Sequence, residues 1–463
     1  MTSRRRQVLL ALLLTAAVGA SGCSTVSRMN PFKGSGGPKE TATEGQRISI
    51  IPSEEILTPA ENLKGVDFAL PPVATQAEWP LPGGTPEQSV ENVDAGANLS
   101  VAWRRNIGQG TARAVHVTAT PVIAAGRVYT MDGEAQVSAH DARTGAEVWR
   151  ANLRPSDNRR DREAFGGGVA FADGKLYVTS GYRFVAAVDA ATGKLIWRTR
   201  TEEPIHAAPT VAGGKVMAVA LDNTLLSFDA STGGPGWTYQ ALSEPARILA
   251  ASSPAVSGDT VVASFGSGEL VALRIANGND LWDEALSRAS RTSSLSEIRD
   301  IPGRPVIYRG DVYAISHSGV FSATDLRTGQ ARWNLPVTGI TSPLPAGDVV
   351  YAVSKTGQVI CASRETGQIF WISDLGQGYK PKRVGGFFGI GGTKILRPTW
   401  SSPLLSNNRL LIAGTTGELV ALNAKTGAVE KRVTLGAPTL IGPVAAGDTV
   451  YVLTDTAELI ALR

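Results

Sequence analysis

The chain has 463 residues, 51 of them glycine, with 43% hydrophobic and only 6% aromatic side chains. This excludes wholesale disorder and fits a glycine-punctuated all-β protein better than a helical one. The formal net charge is +4, and Arg4, Arg5 and Arg6 carry three of those charges, so little remains for the clustered basic face that nucleic-acid binding needs.

In chain order, "MTSRRRQVLLALLLTAAVGASGC" comes first: a basic start, an apolar run from Val8 to about Ala17, and small residues ahead of Cys23. This is the pattern of a secretory signal, and the run is shorter than the roughly 20 apolar residues of a membrane span. "ASGC" resembles the bacterial lipobox, which implies a signal peptide over 1–22 and lipidation, palmitate included, at Cys23. Simple cleavage with an incidental thiol is the alternative. Ser24 after the cysteine is similar to lipoproteins sent to the outer membrane, so a lipid-anchored periplasmic location is expected. Cys361 then has no intramolecular disulfide partner, and its setting in "QVICAS" reads as a small buried residue.

Residues 23–97 read as a lipidated tether and Pro-rich irregular segment. "GSGGPKETATEGQ" is a flexible linker by composition, and "RISIIPSEEIL" offers one short strand. "FALPPV" and "EWPLPGG" are punctuated by proline, which cannot join a central strand, and Trp79 is placed to pin part of this stretch onto the folded body.

Repeats fill 98–463. Each unit reads as four short strands. "TPVIAAGRVYTM" gives a first strand, a two-residue turn and a second strand rich in Val and Tyr, and seven corresponding stretches end with "PVAAGDTVYVLT". The third strand, as in "GSGELVALR", alternates as a half-buried strand should. A turn then carries Gly145, Gly193, Gly233, Gly278, Gly329, Gly367 and Gly427, where a positive φ suits glycine. Four residues earlier stand Asp141, Asp189, Asp229 and Asp325, short acceptors that can bond the turn's own amides. Four residues later stand Trp149, Trp197, Trp237, Trp282, Trp333 and Trp371, with Lys431 breaking the series. One flat side chain at a fixed place in every unit suits a wedge between stacked sheets. A base-stacking ladder or a cation cage would need these rings exposed together in one groove.

The eighth unit, "IGPVAAGDTVYVLTDTAELIALR", has three strands, whereas an orphan strand containing Trp103, "LSVAWRRNIG", precedes the first unit. If that strand docks beside Leu459 to Leu462, the last sheet is completed and a ring is clasped shut. The expected fold is therefore all-β, an eight-bladed β-propeller closed by an N-terminal strand joining the last blade, and its repeats resemble those of PQQ dehydrogenases. Two insertions interrupt the rhythm, Ser287 to Arg304 and Gln377 to Arg397. The second mixes Lys380, Lys382, Arg383 and Lys394 with Phe387, Phe388 and Ile390, and reads either as a solvated loop or as a contact for a partner or membrane surface. It lacks the phosphate-loop pattern and context. His116, His140, His206 and His317 lie far apart in sequence and read as surface or turn residues, and no nucleophile elbow or zinc pattern is present.

The repeats "DAATGKLIW" and "GELVALNAKTG", the eight units, the clasp and the lipobox together resemble the BamB family of outer-membrane assembly lipoproteins, in an alphaproteobacterial form. That resemblance implies a non-enzymatic adaptor without a cofactor. It would bind the POTRA domains of BamA and other BAM subunits, engage unfolded outer-membrane proteins and aid their insertion. Partner binding in the family lies on loops around the third and fourth blades. Here it maps to Arg247, Ile248 and Leu249 in "EPARILAASSP" and to Arg299 and Asp300 in "EIRDIPGRP". PQQ-dependent periplasmic dehydrogenases share the repeat and are the alternative, since fold alone does not decide function.

Overall fold

The computed structural model describes residues 57–113, 115–156, 164–243, 252–287, 298–377, 379, 382–383 and 395–463. In the first blade, Val122–Ala124, Arg127–Met131, Gln136–Asp141 and Glu147–Asn152 pair in sequence order as an antiparallel meander. These strands are called a to d, from the channel outward. Six further sheets repeat that order, beginning at Gly167, Thr210, Ala255, Val306, Leu344 and Leu404. In the eighth, Val444–Ala446, Thr449–Leu453 and Glu458–Leu462 supply a to c, and d is Val101–Asn106.

That seam is a strand pairing with Val101 opposite Leu462, Trp103 opposite Ala461 and Asn106 opposite Glu458. Two backbone hydrogen bonds between Ser100 and Arg463, 2.6 and 2.9 Å, extend it, and Arg104 meets Glu458 at 2.8 Å. The apolar core lies between blades. Tyr129 and Met131 of blade 1 cluster with Leu176 and Val178 of blade 2. The circuit ends where Leu411 and Leu419 of blade 7 join Val450 and Leu459 of blade 8 and Val128 of blade 1. The sheets therefore close into an eight-bladed β-propeller.

Packing between neighbours corrects one expectation. The c strands are not half-buried: in Gln136–Asp141 the four central residues are all buried, because a neighbouring blade covers each face. Polar side chains there must pair internally. Ser138 Oγ lies 2.9 Å from Thr130 Oγ1 and 3.1 Å from His140 Nε2. The surface-or-turn reading of the histidines fails for His140, which the neighbouring blades cover, 1% exposed, and for His206, 6% exposed in a d–a loop; His317 stands in a b–c turn but is buried, and His116 is half-buried.

The Pro-rich segment before the clasp is part of the folded body. Contacts group Glu55–Arg463 into one compact unit, and residues 68–96 run over the a–b turns, the end of the ring opposite the d–a loops. Trp79 pairs with Ile123 of blade 1 through two backbone bonds, Pro80 accepts from Phe171 of blade 2, and Pro86 and Glu87 accept from Val256 and Ile307 of blades 4 and 5. Ala69 accepts from Asp348 of blade 6, Val93 exchanges bonds with Leu405 and Asn407 of blade 7, and Gln76 accepts from Gly447 of blade 8. Gln88 Nε2 reaches Thr210 of blade 3 at 3.1 Å. One irregular strap thus touches all eight blades. Its prolines stay outside the sheets, as expected, and Trp79 is 5% exposed. The short strand expected in "RISIIPSEEIL" lies outside the described residues, save Leu57.

Candidate functional site

The propeller's joints fix the geometry of its rim. Each blade's tryptophan lies beneath the turn glycine of the next blade. A Cβ on Gly193 would sit 2.5 Å from the Trp149 ring, on Gly233 2.4 Å from Trp197, and on Gly145 2.7 Å from Trp103. The turn therefore needs glycine twice, for φ near +72° at Gly145 and Gly193 and for the ring below it. Indole N–H groups of Trp149, Trp197, Trp237, Trp282 and Trp333 donate to the carbonyls of Ala190, Ala230, Ile275, Leu326 and Arg364, at 2.7 to 3.2 Å. Trp103 and Trp371 have no acceptor among the described residues, and the corresponding carbonyls of Ala142 and Ala424 accept from the Tyr451 and Tyr351 hydroxyls. Asp141, Asp189, Asp229 and Asp325 each accept from the turn threonine's amide at 2.8 to 2.9 Å. Hydrogen bonds from Ser231 and Thr232 hold the Asp229 carboxyl down at about 2.

Lys431 breaks the tryptophan series for a geometric reason. It faces blade 8, where the clasp and Leu462 replace a closed c–d turn. No turn glycine stands there to receive a ring, and Lys431 Nζ donates to Asn98 O at 2.6 Å.

Around blade 4, loop residues 244–251, with Arg247, Ile248 and Leu249, lie outside the described residues. The structure does place Arg299 and Asp300. The 299–301 stretch is stapled between two b–c turns, with Ile301 N bonding Phe265 O of blade 4 and His317 N of blade 5 bonding Asp300 O. Arg299 faces solvent, whereas Asp300 is 1% exposed, so direct contact with a partner would first require Asp300 to move. His317 Nε2 lies 2.8 Å from the exposed Lys355 Nζ of blade 6. Burial, reinforced by that ammonium, holds the imidazole below its ordinary range.

One residue here was missed by the motif reading. Leu242 is 67% exposed, and its amide is fixed to Glu269 Oε2 at 2.8 Å, immediately before loop 244–251. An isolated leucine in "QALSEP" carries no periodic signal that could have marked it. Leu242 is tied to Glu269 and Arg299 lies against Gly268, so an exposed leucine and an exposed arginine stand on either side of the blade 4 b–c turn. Such a surface can dock a protein.

Other chemistry-bearing residues are dispersed. No group of three His, Cys, Asp or Glu able to hold a metal occurs among the described residues. Cys361 is fully buried between blades 6 and 7, and burial raises its thiol well above the ordinary range. Cys23 lies outside the described residues. In the second insertion Lys382–Arg383 pairs with Ile395–Leu396, and Tyr379 bonds Glu418 at 2.5 Å. Lys380, Phe387, Phe388, Ile390 and Lys394 lie outside the described residues.

A family model described as outer membrane protein assembly factor BamB matches residues 133–373 and 383–463. A second, for the β-propeller domain of glucose, ethanol and alcohol dehydrogenases, matches residues 89–173. The outer membrane protein assembly factor BamB of Burkholderia pseudomallei is 25% identical over 368 residues, 79% of this chain and 88% of its own length. That of Escherichia coli is 23% identical over 331 residues, 71% and 79% of the two chains. Among solved structures, BamB from Moraxella catarrhalis aligns with a TM-score of 0.64 at 19% identity, covering 78% of this chain and 99% of that one. Quinohemoprotein alcohol dehydrogenase from Comamonas testosteroni aligns equally well, 0.64, at 15% identity over 84% and 80%. At such identities these two structural likenesses show the fold alone.

Proposed function

Because the chain belongs to the outer membrane protein assembly factor BamB family, we propose that it serves as a non-enzymatic scaffold of the outer-membrane β-barrel assembly machinery. In this reading residues 1–22 are a signal peptide and Cys23 carries the lipid that holds the propeller at the periplasmic face of the outer membrane. The b–c face of blades 3 to 5 binds POTRA domains of BamA, through Arg247, Ile248, Leu249 and Arg299, with Asp300 supporting the loop. Bound there, the protein helps present unfolded outer-membrane proteins for insertion. The observation that carries this reading is the exposed Leu242 and the exposed Arg299 on either side of the blade 4 b–c turn, an apolar group and an arginine held on fixed backbone, arginine being a side chain enriched at protein-docking hot spots.

The test is capture of a POTRA-bearing protein by the lipidated full chain. Leu242→Asp and Arg299→Glu are each expected to weaken capture by about ten-fold or more, the effect of losing roughly 1.4 kcal/mol at a hot spot. Undiminished capture by both variants would remove this face from the proposal. Capture of none by the parent chain would remove the scaffold reading itself. The dehydrogenase alternative draws on the match to residues 89–173 and on shared fold, and it predicts that the protein mixed with pyrroloquinoline quinone and calcium oxidises an added alcohol or glucose while reducing an added electron acceptor.

A further inference from the structure

The ring encloses a central cavity of about 600 Å³, within the range of small-molecule sites. Trp79, Pro82, Gly83, Gln88 and Val90 of the strap line one end, and the d–a loops frame the other. Side chains such as Leu344, Leu404, Ile441 and Val444 make much of the wall apolar. On the side of blades 1 to 3, His116, Phe165 and His206 form an aromatic group, with Phe165 4.5 Å from His206 in a stacked pair and 4.8 Å from His116 edge-on.

Across from them, at the entry to blade 5, is Arg304. Its backbone is fixed by a 2.9 Å bond from its amide to Ser342 Oγ. Its buried Nε has no acceptor among the described residues, and its guanidinium takes part in none of the ion pairs found there. By accessible area the residue is only partly buried because it borders the cavity, although it stands at the molecule's centre. Burial lowers its pKa to about 10, which leaves it cationic at neutral pH. An enclosed, uncompensated cation is costly unless a counter-charge joins it. The other ionisable groups on the wall are His116, His206 and Asp455, and Asp455 stands on the far side, where it disfavours a second negative charge.

We propose that this channel binds a small monoanionic carboxylate with an aromatic body, its carboxylate on the Arg304 guanidinium and its ring among His116, Phe165 and His206. A guanidinium presents parallel donors matched to a carboxylate, and the aromatic wall supplies the ring's partner. The site is separate from the blade 3 to 5 rim and does not depend on the scaffold reading.

Calorimetric titration of the full chain with benzoate, benzamide and acetate at constant ionic strength tests the proposal. Benzoate is expected to bind saturably with one site, and benzamide and acetate at least about ten-fold more weakly, since each lacks one of the two recognised features. Arg304→Met is expected to abolish benzoate binding while its melting temperature without ligand stays level or rises, and Arg304→Lys to retain weakened binding. Equal binding of benzoate and benzamide, equal binding of benzoate and acetate, or undiminished benzoate binding by Arg304→Met would each overturn the proposal. Should Arg304→Met fail to fold, the three-ligand comparison on the parent chain still decides.

Discussion

Gly233 meets two demands at once. Its φ of +75° is one that side chains disfavour, and a Cβ there would press within 2.4 Å of the Trp197 ring. Gly233→Ala should therefore cost about 1 kcal/mol for the backbone and a further ~1–3 kcal/mol for displacing the indole. In a Trp197→Ala background the second cost disappears. Urea unfolding of the two single variants and the double variant should thus give a double-variant loss smaller than the sum of the single losses by about 1–3 kcal/mol. Additive losses would mean that glycine and tryptophan are unconnected, and that the repeat keeps each for its own reason. The joint is where the sequence was most legible, because both partners recur at fixed positions. What it could not reveal is that they belong to different blades, since pairing across a joint leaves no spacing signal within one repeat.

At the scale of the strand, burial on both faces turns strand c of blade 1 into an enclosed polar ladder. Burial holds the His140 imidazole below its ordinary value of 6.5, with Glu147 acting to raise it and Arg150 and Arg105 to lower it. In the unfolded chain His140 takes up a proton as the pH falls below about 6.5, while the folded protein resists it. Stability should consequently fall with decreasing pH in that window, by up to about 1.4 kcal/mol per pH unit for this group. Urea midpoints measured from pH 7.5 to about 5.5 should show a steeper decline for the parent than for His140→Gln, and parallel slopes would refute a neutral, enclosed His140. Reading "QVSAHD" as half-buried missed this, because period-two alternation reports a sheet with one wet face, and a propeller blade has none in its inner strands. The strap was illegible for a related reason. Residues 68–96 have no periodicity and their bonds are spread over all eight blades, so the sequence marked Trp79 as a pin and left the rest as irregular chain, where long-range pairing makes it part of the folded body. On the rim, Arg299 and Asp300 look equivalent in sequence, and only the stapling of the chain between two b–c turns turns one outward and the other in.

For the molecule as a whole, covalent chain connects every blade to the next, and the ring is held shut by non-covalent pairing within blade 8, between Val101–Asn106 and Glu458–Leu462. The strap bonded to all eight blades is a second, independent hoop. If the seam is the weak point, tying it should stabilise everything, because opening it releases the cooperative contact of blade 8 with both neighbours. Ser100 and Arg463 exchange two backbone hydrogen bonds, which in an antiparallel pair sets Cα atoms about 5.5 Å apart, within disulfide reach. A Ser100→Cys, Arg463→Cys chain, with Cys23→Ser so that the buried Cys361 is the one other cysteine left, should form that bond. Closing a loop of well over 100 residues should make the oxidised form about 5 kcal/mol more stable than the reduced form, read as a shift in the urea midpoint. A disulfide that forms without moving the midpoint would mean that the strap already closes the circle, and that the clasp strand completes a sheet without fastening the ring.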